Sequence, residues 1–314
     1  MFKLQETDMI ARSRTQKGLG WGMECLFFFA VFGISQTVSS IPTVIATVAW
    51  VVSKTMAGTP TTDLLAAVTN MPDWLLLVTL FSTALATLTV ILFCVFIQKR
   101  DLPSIGFRKK GAVREYLLGA LIGTVLFSAA VGICAMFGAV EISLSSCSPL
   151  LWILFLLGYF LQGMSEEVLC RGYFMPSVAR RNSLALAVFL NSILFSLLHL
   201  FNTGISPIAL LNIALVGILL SIYVLRRGDL WGACAIHSLW NFVQGNVFGV
   251  RVSGISQSTS ILSTVSKPSL SLLNGGDFGL EGGLAVTIVL ALAIVIVFVL
   301  RPRGVAPSPT KETF

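Results

Sequence analysis

Two stretches of 25 residues without a single charge, 74–98 and 116–140, set the strongest limit on what this chain can become. At about 1.5 Å of rise per helical residue, each is long enough to cross a hydrocarbon core of about 30 Å. Inside that core every backbone N–H and C=O needs an internal partner, so helices are the expected element. The rest of the chain agrees, with 55% hydrophobic and only 11% charged residues, against roughly 25% charged in soluble domains. The first apolar run, 25–53, is too long for a signal-peptide core and has no convincing cleavage site after it, so it reads as a retained span.

Apolar runs set against loop signals give an all-α, polytopic membrane protein of about eight spans. They lie near 23–52, 74–98, 116–138, 149–170, 184–201, 206–225, 230–249 and 284–300. The chain divides into a cytoplasmic tail at 1–22, an N-terminal transmembrane region at 23–148 and a catalytic transmembrane core at 149–249. A Ser/Gly-rich extracytoplasmic loop at 250–283, a last span at 284–300 and a cytoplasmic tail at 301–314 follow. The loop reads as a mobile connector. Counting loops and their flanks puts 18 of the 21 Lys and Arg on one side, leaving Lys54, Arg251 and Lys267 on the other. Under the positive-inside tendency both termini are cytoplasmic. The net charge of +7 then serves topology and contact with anionic lipid, and no nucleic-acid partner is implied. Six scattered cysteines form no CxxC pair and imply neither a disulfide framework nor a cysteine zinc site. The ends "MFKL" and "TKETF" carry no lipidation motif, so the spans alone are expected to hold the chain in the membrane.

Three polar pieces interrupt the apolar helices: "EEVLCR" from Glu166, "FSLLH" ending at His199 and "HSLWN" from His237. A charge at mid-membrane costs at least about 2.5–3.5 kcal/mol, so such side chains are expected to face a cavity or a partner. Glu167 and Arg171 are four apart on one face, a structural ion pair, while Glu166 points about 100° away and is free for chemistry. His237 and Asn241 share a face in the same manner. The midpoint between 166 and 199 falls in the "ARRNS" turn, which places Glu166 and His199 level in an antiparallel hairpin. His237 follows the Gly228-Asp229 turn by about eight residues, roughly 12 Å of helix. One shared site would then lie in the cytoplasmic half of the membrane, with Arg180 and Arg181 protruding at the hairpin tip. Among other polar residues, Glu24 reads as interfacial, Asp63, Asp73 and Glu141 as loop charges, and Pro42 as a tolerated kink. A thiol-protease role for Cys170 has no support from its neighbours.

These pieces resemble the signatures EExxxR, FxxxH and HxxxN of the CPBP (CAAX protease and bacteriocin-processing) intramembrane endopeptidases, relatives of the type II CAAX prenyl endopeptidases. The resemblance covers about residues 150–245, with a softer match at "LPSIGFRKKG". It implies a catalytic cavity open to the cytoplasm, with Glu166 activating a water, His199 assisting, and His237 and Asn241 stabilising the oxyanion. Glu167, Arg171 and Phe195 would support the site. HExxH is absent, and if a divalent metal such as zinc is used, its ligands would be Glu166, His199 and His237. The implied substrate is a membrane-associated or lipidated peptide, processed in a CAAX-type or peptide-maturation reaction. A bacterial plasma membrane is the favoured location. The rival reading is a non-catalytic scaffold or transporter that binds a peptide or ion with the same polar cluster.

Overall fold

The computed structural model describes residues 4, 6–59 and 72–299. Asp63 and the tail after 299 lie outside the described residues. Among the described residues eight apolar helices build a bundle, preceded by a short helix α1 (Asp8–Arg14). They are α2 (Trp21–Met56), α3 (Asp73–Leu92), α4 (Ala112–Met136) and α5 (Pro149–Glu167). The other four are α6 (Leu184–Leu197), α7 (Pro207–Arg227), α8 (Trp231–Phe242) and α9 (Leu284–Val299). Five of the described helices, taken with their continuations, are long and apolar enough to cross a membrane by length and composition, and α6 and α9 are shorter apolar helices. The protein is thus an all-α polytopic membrane protein. Its outward faces carry large apolar side chains such as Leu26, Ile45, Phe96, Leu121 and Leu150, each at least 60% exposed. Water would not tolerate that surface, whereas lipid requires it.

Hydroxyl side chains are reconciled with this environment by bonding back to the helix. Thr37 Oγ1 donates to Gly33 O and Thr47 Oγ1 to Thr43 O in α2, while Ser39 Oγ reaches across to Ser82 O of α3. Pro42 lies inside α2 without ending it. Small residues decide which helices approach most closely. A Cβ on Gly119 would sit 2.2 Å from Gly232 O, and one on Gly123 would sit 2.4 Å from Ile236 O, so α4 and α8 pack backbone to backbone. Gly163 of α5 lies equally close to α8, where a Cβ would meet Ser238 N at 2.8 Å. Helix α8 is therefore clamped on two sides by backbone contact, which fixes the rotation of its side chains.

The two ends of the bundle differ. At one end, called here the basic end, Met9 and Ile10 of α1 are fully buried against the short helices Leu102–Ile105 and Met175–Ala179. Arg100 closes the layer, donating to Gly172 O at 2.8 Å and Tyr173 O at 3.3 Å. Leu230 N donates to Gly106 O, and Trp231 Nε1 to Arg108 O. Arg180 and Arg181 do not stand free, since they donate to the backbone carbonyls of Lys17 and Gly18.

At the other end, β1 (Val140–Leu144) pairs antiparallel with β2 (Leu262–Ser266), in register from Val140 opposite Ser266 to Leu144 opposite Leu262. This strand-pair end includes the 250–283 segment, expected as a mobile connector and found to be folded down onto the bundle. Asn274 Nδ2 donates to Ala139 O and Lys267 O, and Asn212 Nδ2 donates to Glu281 O and Gly283 O. The glycines serve close approach rather than freedom. Gly279 has φ +100° and leaves 2.3 Å between a would-be Cβ and Arg251 O. Asp73 accepts from Ser258 N at 3.2 Å and also from its hydroxyl, and Glu141 pairs with Lys267 at the edge of the strand pair at 3.2 Å.

Candidate active site

Each of the three polar pieces stands at the end of a regular stretch. After Glu167 the α5 backbone loosens into a π-helical segment, Val168–Phe174, and after Phe242 the α8 backbone does the same over Val243–Val247. Such wide turns re-aim neighbouring side chains and are found often at functional sites. His199 sits in the turn that closes α6, its own N–H bonded to Ser196 O.

Glu166 and Glu167 divide as helical spacing predicts. Glu167 is fully buried, and its Oε1 accepts from Arg171 Nη1 at 2.8 Å and from His237 Nδ1 at 2.8 Å. Arg171 is fully buried too. It donates to Gly217 O at 3.3 Å and lies 4.5 Å above the Phe195 ring. Asn191, its amide assigned from the hydrogen-bond network, accepts from Arg171 Nε at 3.2 Å and donates to Cys170 O at 2.9 Å. Glu166 points into a cavity instead, its side chain 30% exposed. Its Oε1 accepts from Gln162 Nε2 at 2.5 Å, while its Oε2 makes no hydrogen bond within the described residues and lies 3.6 Å from His237 Nε2.

The two imidazoles are oriented by their Nδ1 atoms. His199 Nδ1 is 2.9 Å from Phe195 O, which makes it the donor and leaves Nε2 without a proton in the neutral ring. His237 Nδ1 donates to Glu167, so its Nε2 carries a proton only in the imidazolium form. Phe195 stands edge-on between the rings, 5.0 Å from His199 and 6.0 Å from His237 by centroid. Asn241 Nδ2 donates to Gln162 Oε1 at 2.9 Å, so Gln162 bridges Asn241 and Glu166.

Glu166, His199, His237 and Asn241 all line one cavity of about 330 Å³. Phe195 and Cys170 also reach its wall, whereas Glu167 and Arg171 stay behind it. Glu24 does not reach it; that carboxylate is buried at the start of α2 and accepts from Leu19 N. Glu166, His199 and His237, the ligands expected in the event that a divalent metal is used, are not grouped as a metal site. Among the described residues no group of three His, Cys, Asp or Glu side chains is placed to hold a metal ion, because His237 is turned by Glu167 and shares only one close approach with Glu166. No step below is routed through a metal.

Three lining residues went unnoticed in the sequence. Gln162 stands four residues before Glu166, and that polar i, i+4 pair inside an apolar helix was a readable signal. Glu281 and Gln257 belong to the 250–283 segment and carried none. Glu281 accepts from Trp240 Nε1 at 3.2 Å and from Ser253 N at 2.8 Å, and Gln257 Nε2 donates to the Tyr159 hydroxyl at 2.7 Å. The Gly228-Asp229 turn, expected as a loop, is itself packed inside, with Asp229 at 6% and Leu230 at 0% exposure.

Comparison with known families matches residues 148–243 to the family described as "Type II CAAX prenyl endopeptidase Rce1-like". The matched segment holds all three polar pieces and runs from the start of α5 to the end of α8. No curated protein and no solved structure gave a match.

Proposed function

We propose that this chain hydrolyses a peptide bond within the membrane by glutamate-activated water, a reading supported by the match of residues 148–243 to the family described as "Type II CAAX prenyl endopeptidase Rce1-like". The observation that carries the reading is the division of labour between adjacent carboxylates. One is locked by Arg171 and His237, and the other is held by a single amide with its second oxygen free toward the cavity.

In this reading Glu166 takes a proton from water as the oxygen attacks the scissile carbonyl carbon. His199, its Nδ1–H held by Phe195 O, presents Nε2 to orient that water. The negative charge that develops on the carbonyl oxygen is met by donors already in place, the second amide N–H of Asn241 and His237 Nε2–H in the imidazolium form. The proton held by Glu166 then passes to the departing amine as the C–N bond breaks, leaving a carboxylate and a free amine. No covalent acyl-enzyme is required, and Cys170, fully buried beside Arg171, has no part in it.

The substrate class that fits is a membrane-associated or lipidated peptide, since the cavity walls include α2 and α3 as well as the catalytic helices. Glu166→Gln preserves size and one hydrogen bond while removing the proton acceptor. The expected result is loss of hydrolysis with intact folding and substrate binding, read by comparing membrane-associated peptides in cells carrying either form. Full activity of both Glu166→Gln and His199→Ala would leave a binding scaffold or transporter as the better reading.

A further inference from the structure

We propose that Gln162 is a positioning residue of the reaction: its amide holds Glu166 short of His237 and, from its other end, turns Asn241 so that an N–H faces the developing oxyanion. This role rests on the hydrolytic reading for what Glu166, His237 and Asn241 do, and adds what keeps them in working order.

The Glu166 carboxylate and the His237 imidazolium carry opposite charges, and Glu166 Oε2 lies 3.6 Å from His237 Nε2. That gap is wider than a hydrogen bond, although attraction across it favours closure. A closed pair would place the base and an oxyanion donor on each other and leave neither for substrate. Among the described residues the one hydrogen bond of the Glu166 side chain comes from Gln162 Nε2, at 2.5 Å to Oε1. Gln162 stands one helical turn before Glu166 on α5, and both line the cavity. Its Oε1 accepts from Asn241 Nδ2 of α8 at 2.9 Å, so the amide is tied at both ends. The next residue, Gly163, fixes the distance between the two helices, since a Cβ there would meet Ser238 N of α8 at 2.8 Å. Glu166 Oε1 therefore stays on Gln162, and Oε2 stays short of His237.

The direction of the second bond follows from the charge at the first. An ionised carboxylate only accepts, so Gln162 must face Glu166 with its NH2 group. The carbonyl oxygen of the same planar amide then faces α8, and Asn241 meets it with its own NH2 group. One N–H of Asn241 is taken by Gln162, and the other is left for a substrate oxyanion. Without the Gln162 amide nothing orders the two ends of Asn241 in this way, and a flipped side chain would set an oxygen where the oxyanion has to bind. His237 does not depend on this relay, because Glu167 orients its ring.

Two substitutions of matched length in the full-length chain test this, Gln162→Met and Gln162→Glu. Neither offers an N–H to Glu166, and only the glutamate form still accepts from Asn241. The probe is an internally quenched peptide with a prenylated cysteine, turned over in detergent micelles, with thermal unfolding followed alongside. Both variants are expected to lower kcat by about 10–100-fold while KM and Tm stay near wild type. On an Asn241→Ala background the loss from Gln162→Met should shrink by about threefold or more, because one of its two targets is gone, whereas the loss from Gln162→Glu keeps its size. Unchanged kcat in either variant overturns the proposal, as does full additivity of Gln162→Met with Asn241→Ala. A loss that comes with raised KM or lowered Tm in both variants assigns Gln162 to substrate contact or packing and overturns it too. Glu166→Gln measured in parallel separates the two readings. If it turns the probe over like wild type, hydrolysis by Glu166 is wrong; if it is inactive beside fully active Gln162 variants, only the role given to Gln162 falls.

Discussion

Removing the charge of Glu167 separates two jobs that one oxygen performs. Glu167 Oε1 accepts from Arg171 and from His237, each at 2.8 Å, and neither Glu167 nor Arg171 is exposed. Glu167→Gln leaves the Arg171 guanidinium buried without a counter-charge, a change that costs about 3–5 kcal/mol. Set against total stabilities of about 5–15 kcal/mol, this is a large share, and the single variant is expected to unfold at markedly lower temperature. Arg171→Met added to it removes the orphaned charge and restores most of the stability, since a buried pair replaced by apolar volume is often neutral. Activity should not return, because His237 Nδ1 no longer faces a carboxylate and the imidazolium that supplies Nε2–H is lost. The assay pairs thermal unfolding in detergent with turnover of a peptide substrate. If turnover recovers together with stability, Glu167 serves only to neutralise Arg171, and the orientation argument for His237 is wrong. Failure of the double variant to regain stability would instead show that the bonds of Arg171 to Gly217 O and Asn191 matter more than its charge.

Other substitutions probe separate parts of the construction. Asn241→Ala removes one oxyanion donor and should lower kcat by about 10²–10³ while leaving thermal stability nearly unchanged, which a turnover and unfolding comparison will show. Gly119→Val forces α4 away from Gly232 O, now 2.2 Å from the would-be Cβ, and is expected to cost about 1–3 kcal/mol or more and to reduce turnover by shifting α8. Gly132→Ala on the same helix, where a Cβ meets nothing within 4 Å, should change neither. At the basic end, burial pushes the Asp229 carboxyl up to about 6, with Glu115 nearby acting in the same direction. A raised carboxyl favours folding in its protonated form. Its contribution is therefore complete below the ordinary carboxylate range and is lost as pH rises through about 6. Asp229→Asn keeps an acceptor for Trp231 N and should raise Tm at pH 8 more than at pH 5; an equal shift at both would show that the charge is not the cause.

What could be read from the sequence were features set by local geometry. Uncharged runs of membrane-crossing length specify helices because the bilayer offers the backbone no other partners. The facing of Glu167 toward Arg171, and of Glu166 away from it, follows from about 100° per helical residue and needs no knowledge of neighbouring helices. That Glu166 and His199 line one cavity was available too, since a short turn makes two helices antiparallel and the turn's position sets which residues are level. Tertiary packing decided the rest. His237 is turned by a carboxylate 70 residues away, and its helix is held by glycines on α4 and α5 that no periodicity distinguishes from others. The 250–283 segment looked like a flexible linker because composition registers glycine and serine but not what they touch. Asn274, Asn212 and the close approach at Gly279 fold it inward and carry Glu281 to the cavity. The burial of the Gly228-Asp229 turn was likewise beyond any count of residues, because the loop at Gly106 and Arg108 packs against it. Depth in a bundle depends on what packs above a turn, and those contacts are made by residues distant in the chain.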